Sequence, residues 1–165
     1  MSRIPLTLHD GTEFTLSGGG QNVLVSEIIK EFCPRWTPNG AVLYVGDTDE
    51  KFIHIRADVL RALDIVVEEH GKMPDVIVHD VTRGWLVLIE AVTGHGPVDG
   101  KRRGELQALF SSSTAPLVYV TEFLDRQAMM RYLPEIAWET EVWYASDPTH
   151  LIHFNGERYL GPYDT

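Results

Sequence analysis

Asp75 opens the apolar run Val76-Ile77-Val78, and Glu90 closes the run Trp85-Leu86-Val87-Leu88-Ile89. Between them Thr82-Arg83-Gly84 is a turn signal, so residues 73–97 read as a β-hairpin with an acid on each strand. If its tip lies between Thr82 and Arg83 without a bulge, residues whose numbers sum to 165 face each other, pairing Asp80 with Trp85 and Asp75 with Glu90. Side chains directly opposed on antiparallel strands have Cβ atoms roughly 4.5–5.5 Å apart, where like charges destabilise the pair. A bound divalent cation would offset that repulsion, and two acids solvated at a sheet margin would avoid it. Spacing alone leaves both open.

Other polar residues flank the hairpin. Glu68, Glu69, His70 and Lys72 precede Asp75, a cluster that is either a wet loop or an approach to a site. Gly94-His95-Gly96-Pro97 breaks the second strand. Lys101, Arg102 and Arg103 fall in the first turn of a helix predicted over 101–110, where cations oppose the helix dipole. That placement suggests an anionic partner, or three cations on a solvated face. Asp47, leaving a strand, either reaches the site or is solvated. The Gly18-Gly19-Gly20 run has neither a long buried strand before it nor a Lys-Ser/Thr pair after it, which makes it a poor phosphate-binding loop. Cys33 reads as a packing residue.

The elements that must position these groups are an alternation of strands and helices. Asp10-Gly11 between 6–9 and 13–16 signals an amino-terminal hairpin. Val25, Ile28, Ile29 and Phe32 recur at helical spacing, giving an amphipathic helix over 23–32 stopped by Pro34. Strands are expected at 41–45, 117–121, 138–145 and 151–154, helices at 58–64 and 125–132, and a closing hairpin around Asn155-Gly156 toward Tyr159. The expectation is an α/β fold with a mixed central sheet and flanking helices. It divides into a hairpin and glycine joint at 1–22 and a main domain at 23–165.

The 165 residues suit one domain with a sizeable core. With one cysteine there is no internal disulfide, which fits a reducing cytoplasm. No apolar run of membrane-spanning length and no secretory leader pattern is present. A formal charge of -10 argues against indiscriminate nucleic-acid binding, which relies on cations neutralising phosphates. It remains compatible with a local basic patch and bound cations.

Longer stretches carry a resemblance. Phe32-Cys-Pro-Arg-Trp, Leu43-Tyr-Val-Gly-Asp-Thr, His70-Gly-Lys-Met-Pro-Asp, Ile89-Glu-Ala-Val-Thr-Gly-His-Gly-Pro, Lys101-Arg, Val118-Tyr-Val-Thr, Ala137-Trp-Glu-Thr-Glu-Val-Trp and His150-Leu-Ile-His-Phe-Asn-Gly resemble the catalytic carboxy-terminal region of the BsuBI/PstI type II restriction endonucleases. The resemblance runs from about 23 to 163 and leaves the amino-terminal hairpin outside. It implies a PD-(D/E)XK restriction-endonuclease-like core, with Pro74-Asp75 and Glu90 as its two half-motifs. The expected function is that of an endodeoxyribonuclease hydrolysing DNA phosphodiesters with Mg²⁺, in the setting of restriction-modification. Asp75 and Glu90 become metal ligands, with Glu68 or Glu69 as an outer ligand.

The chain departs from that pattern at Val92, where the general motif has lysine; Val92 would share a face with Glu90 and point toward the site. Lys101 is the first choice to supply the missing charge and Lys72 the second, with His95 orienting or deprotonating water. Lys101, Arg102 and Arg103 would contact phosphates. The family's large additional amino-terminal region is absent ahead of this domain, which puts autonomous sequence recognition in doubt. A homodimer is the simplest route to a double-strand cut, with Trp143, Tyr144, Tyr159 and Tyr163 as interface candidates, and a separate specificity subunit is another expectation. The alternative functions are a non-catalytic DNA-binding or assembly subunit that keeps the fold, or a nuclease of a multi-protein defence system acting on another nucleic acid.

Overall fold

A computed structural model describes residues 2–48, 52–67 and 72–157. Glu68, Glu69, His70, Tyr159, Tyr163 and the closing hairpin beyond Glu157 therefore lie outside the described residues. The strands are β1 (Ile4–Thr7), β2 (Glu13–Leu16), β3 (Ala41–Val45), β4 (His54–Ile55), β5 (Val76–Asp80), β6 (Trp85–Ala91), β7 (Leu117–Phe123), β8 (Thr140–Tyr144) and β9 (Ile152–Phe154). The helices are α1 (Gly20–Glu27), α2 (Cys33–Trp36), α3 (Ala57–Ala62), α4 (Gly100–Leu109) and α5 (Arg126–Tyr132). β1 and β2 form a two-stranded sheet, and the rest form a seven-stranded sheet in the order β4-β3-β5-β6-β7-β8-β9. The β6–β7 and β7–β8 pairs are parallel and the others antiparallel, the mixed α/β sheet expected.

The central hairpin follows from its pattern. Alternation sends Val76, Val78, Val87 and Ile89 to one face and Ile77, Leu86 and Leu88 to the other, all essentially fully buried. A shift by one residue would exchange both sets, so the register is strongly specified. Asp80 pairs with Trp85 and Val76 with Ile89, the register of the sequence reading. At the tip Asp80 accepts from the Arg83 amide at 3.2 Å and from Arg83 Nη1 at 3.1 Å. Gly84 takes φ 73°, a conformation that favours glycine.

One face is covered by the amino-terminal hairpin and α1. Leu6, Leu8 and Leu16 join Leu24, Val25, Ile28 and Phe32 over the sheet in one cluster. The helix departs from expectation at Pro34. α1 runs through a π-helical turn, Ile28–Phe32, directly into α2. Pro34 lies in the first turn of α2, where a missing N–H is tolerated. The other face is covered by α3 and α4, with Leu60, Leu106 and Phe110 against Leu88 and Tyr119. α5 covers a smaller cluster of Val92, Phe123, Met129 and Ile136. Among the described residues no helix is long and apolar enough to cross a membrane.

Candidate active site

Topology brings the two acids to one end of the sheet. Asp75 immediately precedes β5 and Glu90 lies in the last turn of the pleat of β6, which runs the other way. β6 and β7 are parallel, so their connection must cross over the sheet, and α4 supplies the crossover. Its first turn therefore begins close to where β6 ends.

The Asp75–Glu90 pairing expected from the hairpin is not a ladder pair. The ladder stops at Val76–Ile89, and beyond it the Asp75 amide donates to the Ile89 carbonyl at 3.0 Å. The Asp75 carbonyl accepts from the Gly46 amide at 2.8 Å, so its backbone is held from both neighbouring strands. The side chain bends back across the strand end, and Oδ2 accepts from the Ala91 amide at 2.8 Å. Burial raises the Asp75 pKa, while the Ala91 hydrogen bond and the charges of Arg102 and Lys72 pull it down.

Glu90 is 9% exposed. Arg102, buried in the first turn of α4, places Nη2 at 2.6 Å and Nε at 2.9 Å from Glu90 Oε1. The same guanidinium donates to the Lys72 carbonyl at 2.9 Å and lies 3.5 Å from Glu105 Oε2. Burial and then the nearby Asp75 charge push the Glu90 pKa up to about 7, with Arg102 and Lys72 opposing the rise. The two acids therefore repel one another in a partly desolvated setting.

Two cavities meet at Asp75. One of about 380 Å³ includes Glu90, Asp99, Lys101, Arg102 and Glu105 in its lining, and one of about 410 Å³ includes Tyr44, Asp47, Thr48 and Pro74. Gln21, Lys72, Asp75 and His95 line both. His95 is exposed at this shared rim. Lys72 lies on the site, and its charge lowers the pKa of both acids.

The remaining sequence candidates are placed differently. The Lys101 side chain is 85% exposed, with Nζ 4.0 Å from Glu105 on its own helix. Arg102, expected to grip an outer phosphate, is turned inward because the buried Glu90 carboxylate needs a partner. Arg103 lies over the Tyr119 ring at 4.8 Å and reaches Glu139 at 3.4 Å. The dipole conflict at this helix start is relieved by Asp99, an acidic N-cap that accepts from the Arg102 amide at 2.7 Å. Val92 shares the expected face but packs under α5 with Phe123 and Met129. Asp47 accepts from the Ser17 amide, the Ser17 hydroxyl and Asn22 Nδ2, joining three segments. Trp143 is fully buried in the core, where it forms no interface. Glu69 lies outside the described residues, and among the described residues no third acid, histidine or cysteine joins the pair as a metal cluster.

The sequence reading missed Gln21, Asp99 and the inward turn of Arg102. An Asp before a helical run is a capping signal and could have been read. Nothing local announces the other two.

The family model described as BsuBI/PstI restriction endonuclease domain matches residues 4–157, which takes in the amino-terminal hairpin that the sequence resemblance left outside. The chain is 51% identical over 163 residues to the type II restriction enzyme BsuBI of Bacillus subtilis, covering 99% of this chain and 52% of that protein. It is 28% identical to the type II restriction enzyme AplI of Arthrospira platensis, covering 96% of this chain and 51% of the relative. The solved structure of SdaI restriction endonuclease superposes with a TM-score of 0.91 at 47% identity, over 99% of this chain and 51% of that one. The chain thus spans about half the length of the relatives it matches.

Proposed function

Because this chain belongs to the BsuBI/PstI restriction endonuclease family, we propose that it is a metal-dependent endodeoxyribonuclease whose hydrolytic site is built on Asp75 and Glu90. The observation that carries the reading is the convergence of the two acids, from antiparallel strands, on one cavity with Lys72 and Arg102 beside them. DNA is the proposed substrate because the matched relatives are named as restriction enzymes.

The donor set suits a hard divalent cation. Mg²⁺ is commonly held by one or two carboxylates, with water and substrate oxygens completing its shell. Glu90, whose affinity for protons is raised by burial and by the Asp75 charge, also gains from a cation between the two acids. Asp75 and Glu90 would hold the ion, with Glu69 as a further candidate ligand. Bound there, Mg²⁺ would supply a lowered water pKa and positive charge for the phosphate.

The chain's own groups do the rest. The Ala91 amide fixes the Asp75 carboxylate, and Arg102 fixes Glu90 through one oxygen. Lys72 takes the role of the missing motif lysine by placing a cation beside both acids, and Lys101 meets a neighbouring phosphate from the rim of the cavity. His95, on the rim shared by the two cavities, is positioned to move a proton. A homodimer would provide two such sites for a double-strand cut, and a separate specificity subunit is a further proposed partner.

Asp75→Ala and Glu90→Ala are each expected to lower Mg²⁺-dependent cleavage of plasmid DNA by at least about 10³-fold, an effect comparable to losing a major electrostatic stabiliser. Asp75→Ala should remain folded by circular dichroism, and Glu90→Gln, which keeps an oxygen for the buried Arg102, separates lost chemistry from the stability lost with that pair in Glu90→Ala. Full activity in either variant would sink the assignment. The inward Arg102–Glu90 pair also favours a second reading, a non-catalytic DNA-binding subunit, because it engages one of the two acids. Cleavage by the unsubstituted chain in Mg²⁺ or Mn²⁺, against an EDTA control, rejects that reading, and single-stranded DNA and RNA substrates in the same assay identify the target.

A further inference from the structure

Gly18-Gly19-Gly20 leads into the wall between the two cavities. Gly19, the N-cap of α1, has φ 128° and ψ 160°, a conformation that residues with a Cβ rarely adopt. The turn delivers Gln21 to the shared lining beside Lys72, Asp75 and His95. Gln21 Nε2 donates to the Ala91 carbonyl at 3.0 Å, and Oε1 accepts from the Thr93 hydroxyl at 2.6 Å. Gln21 and Asp75 also lie together on the wall shared by the two cavities. Ala91 is in turn the residue whose amide holds Asp75 Oδ2. One side chain therefore grips the backbone that orients the acid and the start of the loop leading to His95. Its neighbour Asn22 is buried and donates to Ser17 O at 2.9 Å and Asp47 Oδ1 at 2.9 Å, which anchors the turn.

We infer that Gln21 is a positioning residue for phosphodiester cleavage, its amide setting the orientation of the Asp75 carboxylate and of the Ala91–Thr93 backbone. This inference rests on the reading of Asp75 and Glu90 as the hydrolytic site. The role requires both donor and acceptor ends of an amide. A glutamate at this position would set an oxygen against the Ala91 carbonyl and add a negative charge beside Asp75.

The test compares the unsubstituted chain with Gln21→Ala, Gln21→Glu and Gly19→Ala. Steady-state cleavage of linear DNA in Mg²⁺ gives kcat and KM, and calorimetry gives the affinity of Mn²⁺ for the protein without DNA. Gln21→Ala should lower kcat about 10²-fold, as a misplaced reacting group does, with KM changed less than about 2-fold. Its Mn²⁺ affinity should fall about 10-fold, typical of losing an outer-shell partner. Gly19→Ala, which leaves the amide in place but strains its approach, should shift both quantities in the same direction. Gln21→Glu should recover neither. Unchanged kcat and Mn²⁺ affinity in Gln21→Ala would overturn the inference. So would tighter Mn²⁺ binding by Gln21→Glu, which would make the position a ligand site. If the unsubstituted chain cleaves nothing, the reading of the hydrolytic site fails, and the Mn²⁺ comparison still decides the part played by Gln21.

Discussion

Arg102 and Lys72 bring two different kinds of positive charge to the same acids. The Arg102 guanidinium is buried, spends two N–H groups on one Glu90 oxygen and a third on the Lys72 carbonyl, and has little freedom left. Removing one member of such a buried pair typically costs about 3–5 kcal/mol, because the other is left uncompensated. Arg102 is accordingly a poor target for separating chemistry from folding. Lys72 is exposed, acts electrostatically on both acids and lines both cavities. Lys101 is further into solvent and nearer to Glu105. Lys72→Met is therefore expected to lower kcat by about 10²-fold or more, and Lys101→Met to raise KM with kcat within about 3-fold, the signature of a lost uniform binding contact. Single-turnover and steady-state cleavage measured side by side separate the two. A larger kcat loss in Lys101→Met would reverse the assignment.

At the scale of elements, β7 carries an unresolved cost. Glu122 is fully buried, and among the described residues neither of its carboxylate oxygens finds a hydrogen-bond partner. Burial raises its pKa well above 4.5, so the folded chain holds this proton more tightly than the unfolded chain. The sign follows: stability is greatest below the unfolded pKa and falls as pH rises above it. Glu122→Gln should raise the melting temperature on the order of 5 °C at pH 8, with a smaller gain at pH 5. Thermal unfolding of both proteins across that range checks it, and a gain independent of pH would refute the burial argument. Glu90 titrates in the same interval, but it does so in both proteins and leaves the comparison intact.

The elements also show where legibility ended. The hairpin register was readable because one-residue alternation from Val76 to Ile89 tolerates no slip. Asp75 escaped that reading because the last hydrogen bond, to Ile89, departs from the ladder. Pro34 misled because the π-helical turn before it changes which N–H groups the helix requires. Gln21 and Ala91 are 70 positions apart in the chain, and no spacing rule connects a residue after three glycines to the far end of a strand. Arg102 read as one of three exposed cations because its burial depends on the crossover of α4, a property of the sheet and not of the helix.

For the whole molecule, charge and pairing act together. The net charge is -10, Arg102 is engaged inside the site, and Arg103 is shared between Tyr119 and Glu139. Few cations near the cavities remain to displace counterions from a phosphate backbone. Fluorescence anisotropy over a salt series is expected to give a slope of log K against log[salt] shallower than about -3, fewer contacts than a typical specific DNA-binding protein makes. Divalent cations should strengthen binding markedly at constant ionic strength. A steep slope in EDTA would point to a basic surface elsewhere on the fold.

The clasp at Asp47 bears on how this structure comes apart. Asp47 receives Ser17 from the end of β2 and Asn22 from α1, while the next residue toward β3, Gly46, holds the Asp75 carbonyl. These links couple the amino-terminal hairpin, the start of α1 and the exit of β3 into one contiguous unit whose hydrogen bonds open together or not at all. Amide exchange at Ser17, Gly46 and Asp75 would then proceed at a common rate. The wall of the cavity acquires the lifetime of the core behind it, even though the triple glycine within it looks, in sequence, like the loosest point in the chain.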